Sequence, residues 1–170
     1  MSTNFGSKDG ILIRTMKMED YYHVKIFMRE HFYTADPIFA VAGEDASKRM
    51  QQFYEESSDH ISMIKEGTSL LAIDEDDGER IVGIVLAGSL FASSPEEIRR
   101  RVIEMEHCSL KPIFMFMTDV LLKANVFEKY GVIKLLYSSK TTVETSMRGK
   151  GLGTRLAAAL MEVGRSRDFP

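Results

Sequence analysis

The residues best equipped for chemistry lie in one run, Val143-Glu144-Thr145-Ser146-Met147-Arg148-Gly149-Lys150-Gly151-Leu152-Gly153-Thr154. An extended, β-branched stretch over residues 132–143 precedes the glycines. A helical pattern follows them, in which Leu152, Leu156, Leu160 and Val163 recur at spacings of four, four and three. The order is strand, glycine loop, helix. Such a junction leaves the first N–H groups of the helix without partners and adds the positive end of the helix dipole, a combination suited to phosphate. Gly149, Gly151 and Gly153 keep side chains away from the anion, while Arg148 and Lys150 add positive charge. A glycine-rich helix start with no ligand is the plain alternative.

Spacing removes two familiar phosphate motifs. A P-loop needs G-x-x-x-x-G-K-[ST], but Lys150 is followed by Gly151 and the position five before Gly149 is Glu144. A dinucleotide fingerprint needs G-x-G-x-x-G, and these glycines run G-x-G-x-G with no acidic ribose-binding residue after a further strand.

A chain of 170 residues that is 44% apolar has the size and composition of one globular domain. The net charge of −3 offers no basic field for nucleic acid or an anionic membrane, so the partners expected are small molecules. The single cysteine, Cys108, cannot form an intramolecular disulfide, and residues 1–10 lack a signal-peptide pattern, which fits a reducing cytoplasm. No apolar run approaches the roughly 20 residues needed to cross a bilayer. The acidic turn over residues 74–78 lacks the spacing of a calcium loop, and no metal is expected.

Around the loop, residues 1–10 read as a disordered tip and residues 11–14 as a first strand. A helix is expected over residues 19–31, with Val24, Phe27, Met28 and His31 on one face. Lone helical histidines ordinarily pack or are solvated, so His23 and His31 stay in reserve as acid-base groups. Residues 32–43 form an aromatic loop around Asp36-Pro37, where the proline holds Asp36 in an extended kink. Apolar neighbours there can raise a carboxylate pKa and make Asp36 a base; a turn aspartate bonding the backbone is the other reading.

Residues 44–65 read as two helical pieces broken near residues 57–59 and closed by Gly67. Strands over residues 68–74 and 80–92 are joined by an Asp77-Gly78 hairpin turn. Ser94-Pro95-Glu96-Glu97 reads as a capping box opening a helix to about His107. One further helix is expected over residues 112–130, with Ile113, Phe116, Met117, Val120 and Phe127 among its core positions and Gly131 as its stop.

Taken together, these segments resemble the GNAT superfamily of N-acetyltransferases, whose acetyl-CoA loop reads R/Q-x-x-G-x-G/A after a V-x-P/T strand end. Val143, Thr145, Arg148, Gly151 and Gly153 match it. The insect arylalkylamine N-acetyltransferase branch is also similar through Glu66-Gly67-Thr68-Ser69-Leu70-Leu71-Ala72, Ile81-Val82-Gly83 and Phe127-Glu128-Lys129-Tyr130-Gly131. The fold implied is α/β (α+β), a mixed, mostly antiparallel sheet flanked by helices. In it acetyl-CoA lodges where the strand ending at Val143 splays from a parallel neighbour. The loop residues Arg148, Gly149, Lys150, Gly151, Leu152, Gly153 and Thr154 are expected to bind the pyrophosphate. The backbone of Val143 and Thr145 would hold the pantetheine like an added strand.

The activity implied is transfer of acetyl from acetyl-CoA to a small arylalkylamine or related biogenic amine, by a monomer or homodimer. A Glu-Pro pair supplies the general base in relatives. Here Asp36-Pro37 stands in that place, one methylene shorter, and Glu144 is a second candidate by position on the strand. A non-catalytic acyl-CoA-binding or regulatory protein that kept the loop is the alternative. Relatives continue past the loop helix with another strand, a helix and a hairpin, so the resemblance implies that the 170 residues are a fragment, truncated after that helix, or one piece of a divided protein.

Overall fold

A computed structural model describes residues 3–38, 44–106 and 108–170 of the chain. The expectations for residues 39–43 of the aromatic loop, and for His107 at the end of a helix, fall outside the described residues. Five strands form one sheet in sequence order: β1 (Asn4–Lys8), β2 (Ile11–Thr15), β3 (Leu70–Asp74), β4 (Arg80–Phe91) and β5 (Lys134–Val143). Every described pairing is antiparallel, so the parallel neighbour expected beside β5 is not among the described residues. β5 pairs with β4 on one side and presents its other edge free of any described strand.

Helices cover both faces. On one lie α1 (Tyr21–His31), α2 (Glu44–Glu56), α3 (Asp59–Glu66), α4 (Ser94–Glu104) and α5 (Lys111–Ala124), followed by the short α6 (Val126–Tyr130). Met28, Met50, Ile64 and Ile113 from these helices meet Leu71, Ile73, Ile84 and Leu86 of the sheet. The opposite face carries α7 (Leu152–Ser166), whose Leu152, Leu156, Ala159 and Val163 bury against Ile13, Leu70, Ala72 and Val85. The expected helix–strand boundaries therefore hold to within a few residues, and Gly67 closes α3 in the left-handed conformation at φ 73°.

Three expectations are corrected. Residues 4–8, read as part of a disordered tip, form β1, because Asp9 and Gly10, both at positive φ (55° and 73°), close a two-residue hairpin that pairs Lys8 with Ile11. The helix expected over residues 112–130 is two helices, since Asn125 adopts φ 43°, ψ 42°, a left-handed conformation that its short polar side chain tolerates. The apolar stripe of α5 also divides: Leu110, Ile113 and Phe114 reach the core, whereas Phe116 and Val120 are 62% and 51% exposed. Finally, the capping box at residues 94–97 does not form. Ser94 lies inside α4, and its hydroxyl accepts the Phe91 N–H at 3.1 Å.

Candidate active site

The β4–β5 ladder ends with the Glu144 N–H donating to the Val82 carbonyl at 2.9 Å. Bonded and non-bonded pairs alternate along an antiparallel ladder, so Val143, opposite Gly83, turns its own N–H and C=O toward the free edge. The chain then makes one 3-10 turn, Thr145–Met147, and enters α7 through Gly149 and Gly151 at φ 75° and 78°. Gly151 is the N-cap and supplies no side-chain acceptor, which leaves the first-turn N–H groups of Leu152, Gly153 and Thr154 directed outward.

Gly153 is the informative glycine. Gly151 is needed for its positive φ, but Gly153 has ordinary helical geometry, and a Cβ built on it would meet nothing within 4 Å. Neither backbone strain nor internal crowding explains it. Arg148 and Lys150 are exposed beside this opening. Arg148 donates from Nε to the Val143 carbonyl at 3.0 Å, so the loop cation is folded back on the edge that the sequence reading assigns to pantetheine.

The acid-base candidates separate into two places. His23, His31 and Glu144 line one cleft of about 660 Å³ between α1 and the β3–β4 hairpin, with Arg80 and Glu79. There both Glu144 oxygens are engaged: one is ion-paired with Arg80 and the other accepts the Ser146 hydroxyl at 2.6 Å. Asp36 lies elsewhere. Its Oδ1 accepts the Ile38 N–H at 2.8 Å, forming the turn that was one of its two sequence readings. Its charge nonetheless acts on two groups under β5, Tyr54 and Lys140.

Lys140 was not singled out from the sequence. It follows a bulge in β5, where Leu86 pairs with Lys140 but Ala87 pairs with Ser138, and it shares the inner face of the strand with buried Thr142. Only 5% of its surface is exposed. Its amine stands 3.4 Å from the Tyr54 ring centroid and 3.4 Å from Ser139 Oγ. His60 stacks with Tyr54, with centroids 5.1 Å apart and planes at 11°. Burial drives the Lys140 ammonium down to about 7, while the Asp59 and Asp36 carboxylates pull the other way. Burial and then the nearby carboxylates and Tyr137 raise the Tyr54 phenol. The available sequence signal was the period-2 pattern, which puts Lys140 and Thr142 on one face; a lysine at an inward strand position is costly and calls for a reason.

His60 Nε2 is buried with no hydrogen-bond partner among the described residues, and burial together with the Lys140 charge pushes this histidine down to about 3. An unfolded histidine titrates near 6.5, so between pH 6.5 and 3 the unfolded chain binds more protons. The stability present above pH 6.5 is therefore lost as the pH falls toward 3. His60→Phe keeps a ring on Tyr54 and deletes the unpartnered nitrogen. It is expected to raise stability at pH 7.5 by about 1 kcal/mol and to flatten the acid-side loss. Denaturant titrations at pH 7.5 and 4.5 check this; an unchanged pH dependence in the variant would assign the acid sensitivity to other groups.

No family model matches the chain, and no curated protein matches it by sequence. Solved structures do. Arylalkylamine N-acetyltransferase 2 from Aedes aegypti superposes with a TM-score of 0.78 at 25% identity, over 95% of this chain and 73% of that one. Drosophila melanogaster polyamine N-acetyltransferase, an enzyme that forms N-acetylagmatine, superposes with a TM-score of 0.76 at 23% identity, over 94% and 72%. A mosquito arylalkylamine N-acetyltransferase-like protein, 5b, gives 0.74 at 19% identity, over 94% and 73%. With the strand, glycine loop and helix in the order the sequence indicated, the chain has the GNAT N-acetyltransferase fold, and its likeness is to the insect arylalkylamine N-acetyltransferase branch.

Proposed function

We propose that the chain is an acetyl-CoA-dependent N-acetyltransferase acting on the primary amine of a small arylalkylamine or related biogenic amine. The observation that carries this reading is the free edge of β5 running directly into an uncapped helix N-terminus whose Gly153 has no internal reason to be glycine. Along that edge Val143 offers one N–H and one C=O, the pattern an extended amide chain such as pantetheine completes as a further strand. The first-turn amides of α7 with Arg148 and Lys150 suit a pyrophosphate. Engaging the Val143 carbonyl requires the Arg148 guanidinium to leave it, which frees that cation for the phosphates.

Attack is direct within a ternary complex. The amine arrives as an ammonium with a pKa of about 10 and must lose a proton before its lone pair reaches the thioester carbonyl. The C–N bond forms, the C–S bond breaks, and the thiolate takes up a proton to leave as the thiol. In this reading the Val143 N–H helps polarise the acetyl carbonyl, and losing a donor of this kind costs on the order of 10²–10³ in rate. Asp36 serves as the base in this reading. Its Oδ1 is held by the Ile38 N–H and its side chain is shorter than glutamate, which favours a second reading as a non-catalytic acyl-CoA-binding protein.

Two substitutions test this account. Gly153→Leu should keep or raise thermal stability, because leucine is the better helix former by roughly 0.5–1 kcal/mol. The side chain would occupy the space reserved for phosphate, so calorimetry should show acetyl-CoA affinity at least about tenfold weaker. Unchanged affinity would remove the loop as the binding site. Asp36→Asn should lower kcat by about a hundred- to ten-thousand-fold with a smaller effect on KM, and Asp36→Glu should keep or raise activity. An Asn variant with wild-type kcat leaves Asp36 as a turn residue, and acetyl-CoA binding without turnover of any amine selects the non-catalytic reading.

A further inference from the structure

A cluster of buried polar groups lies under β5. Lys140 sits with its amine against the Tyr54 ring, His60 is stacked on that ring with an unpartnered nitrogen, and Tyr137, Asp36 and Asp59 complete the ionisable surroundings. Lys140 follows the bulge in β5, the strand whose free edge is proposed to hold the acetyl donor. A packed apolar residue in place of Lys140 would spare the chain the cost of burying an amine. Retaining the lysine there points to a use for its proton.

We propose that Lys140 is the proton store of the acetyl-transfer site, receiving through Asp36 the proton that the amine substrate gives up. The inference rests on the proposed acetyltransferase reading. Asp36, half-buried and close enough for its charge to act on Lys140, takes the proton of the substrate ammonium and passes it to the neutral Lys140 amine, which becomes the ammonium. The substrate lone pair then forms the C–N bond, the C–S bond breaks, and the second nitrogen proton goes to the departing thiolate. Lys140 returns its proton to water by way of Asp36 before the next cycle. Tyr54 stabilises the charged state through its ring face, and the Asp59 and Asp36 carboxylates favour it further, while burial opposes it. An amine that titrates near neutrality accepts and releases a proton at physiological pH; a solvated lysine does not.

The test uses the full chain with acetyl-CoA and tyramine as the probe amine. Wild-type protein should show a kcat/KM that falls on the acid side with a midpoint near 7. Lys140→Met should lower kcat by at least about a hundredfold with little change in KM or in calorimetric acetyl-CoA affinity, and its acidic limb should move or vanish. Lys140→Arg keeps a cation that cannot give up its proton and should be equally slow, which separates proton storage from charge or packing. Should Lys140→Met lose its fold, the Arg variant and an NMR titration of the wild-type lysine side chain decide: a Lys140 midpoint near 10 overturns the proposal. Amine turnover with wild-type kcat and pH profile in a folded Lys140 variant overturns the proton store alone. If no amine is acetylated while Lys140 still titrates near 7, the acetyltransferase reading has failed and the store falls with it.

Discussion

The seating of Leu156 over Gly83 is the contact on which the site depends. A Cβ at Gly83 would stand 3.1 Å from Leu156 Cδ1 and 3.4 Å from the Ala72 Cβ, so the glycine is what allows α7 to lie this close to the sheet. Leu156 is fully buried there, worth about 1.5–3 kcal/mol of apolar burial, and Leu152 and Val163 extend the same contact along the helix. Gly83 is also the residue opposite Val143. A single packing constraint therefore fixes the helix axis relative to the last residue of β5, and aims the open amides of α7 at the end of the free strand edge.

From that arrangement the two faces of β5 acquire different work. Val143 packs with the α7 face and turns its backbone to the open edge, whereas Lys140 and Thr142 point into the α1–α3 layer. Thr142 ties the strand to α1 through a bond from its hydroxyl to the His31 carbonyl at 3.2 Å. On the other side Arg155 donates to the Lys8 and Ile11 carbonyls and fastens α7 to the β1–β2 hairpin. β5 is thus tied to α1 while its outer edge carries no described strand. Lys140, just after the bulge in β5, carries a charged side chain into a layer that also buries His60 and Thr142.

Much of this was legible in the residues. The 3.6-residue spacing of Leu152, Leu156 and Val163 and the glycine run gave the loop and helix correctly, because local periodicity there coincides with tertiary burial. In α5 the same periodicity misled: Phe116 and Val120 have helical spacing, yet both are exposed, and the buried positions are Ile113 and Thr118. Asp9-Gly10 carried the same turn signal as Asp77-Gly78, but the polar residues 4–8 before it gave no alternation to identify a strand at the sheet edge. Asp36 was visible through its proline. The cluster of Lys140 with Tyr54 and His60 was not, since a strand residue about 80 positions from its partners meets them only through the pairing of β5 with β4 and the packing of α2 and α3 over it.

Amide hydrogen exchange along residues 143–154, with and without saturating acetyl-CoA, addresses the central claim most directly. If the free edge and the open helix turn form the acetyl-CoA site, the Val143 amide and those of Gly151, Leu152, Gly153 and Thr154 should exchange at least about tenfold more slowly in the complex, with β1 and α4 unchanged. Acetyl-CoA that binds without slowing these amides, or that slows only amides elsewhere in the chain, would contradict the assignment.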